Sequence, residues 1–304
     1  MNKMEQTKNA IVQTDNKTKL FKKEEVFKHF FLLCSILSIL FLFLICVFIF
    51  KESIEFLFNI GIGNFVLNGL WAPLNVPPSF GIKSMIVGSL LITFVACLGA
   101  VPLSIMAASY MAFDCPPAIY KFIKPALNLM AGIPSIVYGF FALTVIVPVN
   151  RSIFGGDGMN MLSASILLMI MVLPTIISMA EASLNAVPKS YYEGSLSLGA
   201  THDETLTRVM IPAARSGIFA GIILGVGRAI GETMAVILVA GNQTRLSFNL
   251  LEGIRTLTTN IVMEMGYAYG PHRQALIATA AILFIFILCI NFGFFIMKKM
   301  SESK

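Results

Sequence analysis

Residues 30–50 read FFLLCSILSILFLFLICVFIF, a run in which no side chain carries a charge. A helix that crosses a lipid bilayer needs about 20 consecutive, mostly apolar residues. This stretch meets that requirement, and the surface of a soluble fold has no place for it. It therefore predicts that the chain folds in a membrane.

Five further apolar runs follow the first one along the chain. They occupy residues 85–113, 123–149, 162–182, 213–240 and 275–297. Pro102 and Pro174 predict kinks in the second and fourth runs, and the interrupted segment 131–135 lies in the third. The sequence therefore predicts an all-α, polytopic membrane protein with six transmembrane helices.

The composition supports this interpretation. Hydrophobic residues make up 57% of the chain and charged residues only 12%, whereas a soluble domain carries about 25% charged residues. Much of the net charge of +6 comes from lysines that precede the first run or follow the last. This positive-inside pattern predicts that both termini are cytoplasmic, and it argues against a nucleic-acid partner.

The six spans divide the chain into segments. We expect a cytoplasmic polar segment at residues 1–28, a transmembrane domain at 29–300 and a cytoplasmic tail at 301–304. The polar leader is too long for a cleavable signal peptide. Loops 51–84, 150–161 and 241–274 are then outside, and loops 114–122 and 183–212 are inside. Three arginines of the third outer loop are expected to be solvated, namely Arg245, Arg255 and Arg273.

Several kinds of chemistry are missing from the sequence. It contains no G-x-x-x-x-G-K-[ST] loop for the phosphates of ATP and no H-E-x-x-H motif. Its five cysteines have no paired spacing, and its three histidines are far apart along the chain. We expect no catalytic residues, no metal and no cofactor. If the chain moves a solute uphill, the energy comes from a partner or an ion gradient.

The inner loop 183–212 has the pattern of two short helices. Tyr191 to Leu198 can form the first, which Gly199 would end because glycine readily adopts a left-handed conformation. Thr201 or Asp203 can cap the second helix at its start. That helix is expected to end before Pro212.

The same loop follows the spacing of the pattern E-A-A-x3-G-x9-I-x-L-P without a gap, with glycine and serine in place of the two alanines and with valine and isoleucine in place of Ile and Leu. The matching positions are Glu193, Gly194, Ser195, Gly199, Val209, Ile211 and Pro212. In this respect the chain resembles the permeases of type I ATP-binding-cassette importers. The resemblance implies that the loop docks on an ATPase subunit, with Glu193 and Gly199 shaping the docking helix and its turn.

The fifth span carries a small-residue stripe and two charges. At 100° per residue, the same helix face would hold Gly217, Gly221, Gly225, Arg228 and Glu232. The glycines would let a neighbouring helix approach closely. A lone arginine at mid-membrane costs about 2.5–3.5 kcal/mol on insertion scales, which a glutamate one turn away would partly offset. The pair is then a structural ion pair, an anion site, or both.

Residues 227–236, GRAIGETMAV, resemble a signature of the phosphate-specific permeases, in particular of the PstC type. GIPSIVYG at 132–139, Trp71-Ala72-Pro73 and Phe80-Gly81-Ile82 resemble the same family, and the likeness runs over residues 28–297. It implies a phosphate importer of the bacterial inner membrane, with a PstA-type permease, two PstB-type ATPases and a PstS-type binding protein as partners. The predicted substrate pathway includes Arg228, Glu232 and Thr233. It also includes Ser135 and Tyr138 if the interrupted third span lines a cavity, the alternative being a packing kink.

Rival interpretations stay open from the residues alone. A permease of the same class for sulfate, molybdate or phosphonate would also use an intramembrane arginine. An ion-gradient carrier or channel would work without an ATPase and would leave the inner loop without a role. A membrane enzyme needs a cluster of catalytic side chains, and the sequence does not assemble one.

Overall fold

The computed structural model describes residues 2–302, and the side chains of residue 25 and of residues 27–296. It comprises two units, Met1–Glu52 and Ser53–Lys304. The expected tail 301–304 extends beyond the described residues. Helix α1 (Asn2–Ile60) makes up the first unit and passes its boundary, and its part Phe27–Ile60 is long and apolar enough to span a membrane.

The second unit is mainly helical and contains one small hairpin among the described residues. Strands β1 (Trp71–Ala72) and β2 (Ser79–Phe80) pair antiparallel, with Trp71 opposite Phe80. The helices are α2 (Ile62–Leu67), α3 (Lys83–Ser109), α4 (Pro117–Gly132), α5 (Ser135–Phe141), α6 (Val147–Phe154), α7 (Met161–Asn185), α8 (Lys189–Ser197), α9 (His202–Thr205), α10 (Ile211–Ala213), α11 (Arg215–Gly231), α12 (Met234–Val239), α13 (Leu257–Glu264) and α14 (Gly270–Glu302). Three π-helical segments extend α3, α5 and α9, at Tyr110–Asp114, Ala142–Ile146 and Leu206–Met210.

Helix α7 lies at the centre of the second unit, between α3 and α11. Its buried side chains share one apolar core with Ile92 and Ala96 of α3 and with Ala229 of α11. The predicted glycine stripe of α11 faces α7. A Cβ atom at Gly221 would come within 2.8 Å of Met179, and one at Gly225 within 2.8 Å of Ile176, while Gly217 lies against Ser183. The absent side chains allow the two helices to pack closely.

Among the described residues, five helices are long and apolar enough to cross a membrane. A sixth span is obtained if residues His202–Ala213 and Arg215–Gly231, which meet at an angle of 71°, are counted together. The fold class and the number of spans therefore agree with the sequence prediction. The limits of two spans do not.

The third span was predicted at 123–149, but the apolar helix long enough to cross begins at Ser135 and ends at Phe154. Residues Pro117–Gly132 form the separate helix α4, which takes up most of the predicted loop 114–122. Pro134 explains the difference. Proline lacks an N–H group and forces the preceding residue out of helical geometry, and Ile133 is extended at φ −65° and ψ 130°.

The fifth span was predicted as one helix over 213–240, and this is wrong at both ends. Ala214 lies at the 71° bend, where α10 meets α11. At the other end α11 stops at Gly231, and Glu232 is extended at φ −69° and ψ 132° before α12 begins. The spans that include α5 and α12 are therefore both interrupted.

Candidate functional site

Arg228 lies in the last turn of α11 and is half-buried. Its Nη1 donates to Thr175 Oγ1 of α7 at 3.1 Å. An arginine has five N–H donors, and this is the one hydrogen bond the guanidinium makes within the described part of the chain. The remaining donors adjoin a cavity of about 870 Å³, here called the Arg228 groove. Its lining is Thr175, Ala220, Ile223, Leu224, Gly227, Arg228, Asn291 and Phe295.

The predicted ion pair between Arg228 and Glu232 is absent from the described residues. Because α11 ends at Gly231, Glu232 is not one helical turn below Arg228. Its carboxylate instead accepts the N–H of Ala235 at 3.1 Å, in the first turn of α12. Its carbonyl accepts the hydroxyl of Thr258 at 2.9 Å. Glu232 thus stabilises the interruption of the span.

The other predicted pathway residues lie at or near the two interruptions. Thr233 Oγ1 donates to Gly231 O at 3.3 Å, and Ser135 is the first residue of α5. The buried Tyr138 donates its hydroxyl to Met130 O at 2.8 Å, so it satisfies a carbonyl near the end of α4.

Helices α5 and α12 pack directly on each other. A Cβ atom at Gly139 would come within 2.9 Å of Ala235 Cα, so the two backbones approach closely. Tyr138, Ala229 and Ala235 belong to the same buried core. The structure therefore packs the helices that follow the two interruptions against each other, and it directs Glu232 towards α12.

Sequence reasoning missed two polar residues of the Arg228 groove, Thr175 and Asn291. Thr175 follows the kink residue Pro174, and Asn291 is the one carboxamide in the apolar run 275–297. A polar side chain in a span was the available signal. Gly227, on the same groove, has open space where a Cβ atom would stand.

The predicted inner loop folds as two short helical pieces. Gly199 has φ +90°, the conformation expected of a glycine that ends a helix, and it follows Leu198, the C-cap residue of α8. Thr201 caps α9: its Oγ1 accepts the N–H of Glu204 at 3.3 Å, and the Glu204 carboxylate accepts the N–H of Thr201 at 3.1 Å. Pro212 does not end the second helix. It lies in the first turn of α10, where proline needs no hydrogen-bonded N–H.

One face of α8 is exposed and contains residues of the matched pattern. Glu193 and Gly194 are exposed, whereas Ser195 Oγ contacts Thr205 Oγ1 at 2.9 Å. A cavity of about 430 Å³ is lined by Ser190, Tyr191, Gly194, Ser195, Leu198 and Val209. Leu198 is 90% exposed, which leaves an apolar side chain available to a partner. Ile211 is half-buried.

A buried polar cluster, here called the Glu264 cluster, was not predicted. It consists of Trp71, Arg255, Glu264 and His272. Glu264 Oε2 accepts Trp71 Nε1 at 2.9 Å and lies 2.7 Å from His272 Nε2, while Oε1 accepts Arg255 Nη1. The expectation that Arg255 is solvated is therefore wrong, since it is enclosed with its counter-ion. Arg273 and Arg245 are exposed, and Arg245 pairs with Glu252 at 2.7 Å.

A second buried carboxylate joins α4 to α7. Glu181 accepts hydrogen bonds from the Tyr120 hydroxyl at 2.6 Å and from the Lys124 ammonium. This hydrogen bond raises the pKa of Tyr120, because the neighbouring carboxylate disfavours the phenolate. The contacts fix α4 against the central helix.

Residues 100–304 match the model of the binding-protein-dependent transport system inner membrane component. The match covers well over half of the chain, which therefore belongs to this family of importer permeases.

Three curated relatives specify the type. A phosphate transport system permease protein PstC of Mesorhizobium japonicum is 34% identical over 73% of this chain and 74% of its own length. A probable PstC of Methanocaldococcus jannaschii is 31% identical over 93% and 96%. A probable ABC transporter permease, YqgH of Bacillus subtilis, is 36% identical over 76% and 81%. The two relatives named PstC confirm the resemblance to PstC-type permeases.

Solved structures support the fold. The MetNI methionine ABC transporter in an inward-facing conformation has a chain that aligns with a TM-score of 0.58 at 20% identity, over 71% of this chain and 94% of its own. A bacterial alginate ABC transporter chain aligns with a TM-score of 0.58 at 17% identity, over 89% and 94%. At these identities the likeness concerns the fold alone.

Proposed function

We propose that the chain is the PstC-type permease subunit of an ATP-driven phosphate importer. It lies in the bacterial inner membrane with both termini cytoplasmic. A PstA-type permease completes the pathway, two PstB-type ATPases supply the energy through α8, and a PstS-type protein delivers phosphate from outside. The relatives' names support phosphate as the substrate, and the Arg228 groove is the structural observation that carries the proposal.

The Arg228 groove suits an anion because most N–H donors of Arg228 have no hydrogen-bond partner within the described residues. A guanidinium within a span is costly unless it meets partners or water. Thr175 supplies one neutral acceptor, and the other N–H groups adjoin an otherwise largely apolar cavity. A planar fork of donors matches the oxygens of a phosphate group in a bidentate manner.

Because Arg228 and Glu232 form no ion pair within the described residues, we assign them separate roles. Arg228 recognises the anion, and Glu232 maintains the interruption beside it through Ala235 and Thr258. Interrupted backbone at membrane depth is tolerated where it is buried in protein or lines a water-filled cavity. Ser135, Tyr138 and Thr233, which lie at or near the interruptions, then border the route.

The proposal is tested by phosphate uptake into proteoliposomes that contain the complete transporter. Replacing Arg228 by Gln removes the charge-assisted hydrogen bonds, and we expect uptake to fall roughly 10- to 100-fold. ATPase binding is expected to persist, because no residue of α8 lines the groove. Arg273→Gln, at an exposed position, is the matched control. Unchanged uptake in Arg228→Gln contradicts the anion site.

The same preparation separates the rival interpretations. Competition by sulfate or molybdate at equal concentration would indicate another oxyanion permease. Uptake without ATPase or ATP would indicate an ion-gradient carrier. Phosphate-selective uptake that requires ATP supports the proposal.

A further inference from the structure

Helix α8 is attached to the end of α3 by a small group of side chains. The rings of Phe113 and Tyr192 stack with centroids 5.8 Å apart and planes 12° from parallel. The Tyr192 hydroxyl lies 2.7 Å from His202 Nδ1, and the two rings meet edge to face at 5.9 Å. Three elements, the π-helical extension of α3, α8 and α9, therefore converge on Tyr192.

His202 adds a second connection to the end of α3. Its Nε2 lies 2.8 Å from Asp114 Oδ1, outside the angular range of a hydrogen bond, so the contact is electrostatic. Both side chains are more than a third exposed, and exposed ion pairs contribute little free energy. The aromatic stack and the hydroxyl contact of Tyr192 are therefore the main connection.

This connection leads directly into the core. From Asp114 the chain is helical back to Lys83, and α3 packs along α7 with Ile92, Ala96 and Ala100 buried. A continuous helix transmits a displacement of its end along its axis. The face of α8 that includes Glu193 and Gly194 is exposed, and it is available to a partner that exerts force.

We propose that Tyr192 is a positioning residue that transmits movement of α8 to α3, with Phe113 and His202 as its partners. These three residues are called the latch. The proposal rests on the proposed role of α8 as the ATPase docking helix. Without the latch, the ATPase would still bind α8, but its movement would not reach the helices of the pathway.

The test measures phosphate transported per ATP hydrolysed in proteoliposomes that contain both permeases, the ATPase and the binding protein. In Tyr192→Leu we expect the ATPase to co-purify as in the wild type and ATP hydrolysis to continue. The ratio of phosphate to ATP should fall about three- to tenfold, the range that changes in a coupling network produce. Tyr192→Phe keeps the stack and should lose less.

Two further variants keep the test decisive. His202→Leu removes the same hydroxyl contact from α9, and it should lower the ratio even if Tyr192→Leu fails to assemble. Tyr110→Leu, an aromatic change in the same π-helical segment outside the latch, should leave the ratio unchanged. An unchanged ratio in both latch variants overturns the latch, and so does a loss of uptake that only parallels a loss of bound ATPase. Failure of the wild-type complex to bind the ATPase would overturn the docking role itself.

Discussion

The Glu264 cluster and the Arg228 groove both contain charged side chains, but they differ in how fully those charges are hydrogen-bonded within the described residues. Both oxygens of Glu264 are engaged, by Trp71, Arg255 and His272. Arg228 makes one hydrogen bond within the described residues and adjoins a large cavity.

This difference indicates different roles. A fully satisfied buried cluster is strongly disturbed when one member is removed, because the remaining charge is left without a partner. Removing a charged group whose donors are mostly unpaired disrupts few contacts, and those donors can bind a ligand instead. The comparison therefore assigns stability to Glu264 and recognition to Arg228, and each assignment can be broken by experiment.

The largest effect is expected from Glu264→Gln. The change leaves Arg255 enclosed without its counter-ion, which costs about 3–5 kcal/mol in unfolding free energy. Chemical unfolding of the purified subunit in mixed micelles measures this loss. Arg228→Gln is the matched comparison and should lose far less stability. If the two variants are equally stable, the distinction between cluster and groove fails.

The Arg228 groove itself is tested by filling it. Gly227 has open space at its Cβ position, so Gly227→Leu should fold normally while narrowing the groove beside Arg228. We expect phosphate uptake to fall about tenfold, equivalent to about 1.4 kcal/mol. The measurement is the uptake rate at saturating ATP.

A matched control exists for this change. Gly293 also has open space but lines a separate, apolar cavity between α3, α11 and α14. Gly293→Leu should therefore leave uptake at the wild-type rate. Equal losses in both variants would mean that the Arg228 groove is not the route.

Whether the sequence predicted a region depends on how far apart along the chain the residues that form it lie. Apolar length and the turn residues Gly199 and Thr201 are local, and they correctly predicted the number of spans and the two-part loop, although the limits of two spans differ. The interruption at Glu232 was missed, because the helical pattern of residues 217–236 continues through it. Periodicity records which residues share a face, and does not reveal that a glutamate will cap a new helix.

The Glu264 cluster was missed for a different reason. Trp71 and Glu264 are 193 positions apart, and each lies in a predicted outer loop, 51–84 or 241–274, where a polar or aromatic residue needs no explanation. Arg228 was noticed because it interrupts an apolar run, where charge is costly. The same cost applies to Arg255, but it arises only when the loops fold together, so no pattern in the sequence shows it.

The smallest effect is expected from Glu252, a carboxylate that belongs to neither the Glu264 cluster nor the Arg228 groove. It pairs with Arg245 at the surface, and hydrogen bonding by Ser247 and then Arg245 lowers its pKa. Because the pKa is lower in the folded state, the stability that ionised Glu252 contributes is complete above the ordinary glutamate pKa and is lost as pH falls through the folded value.

Glu252→Gln should therefore change thermal stability slightly at pH 7 and not at all at low pH, where the wild-type carboxyl is itself neutral. Because exposed pairs are screened, salt should reduce the difference at pH 7. A loss as large as that of Glu264→Gln would show that burial does not separate the two carboxylates.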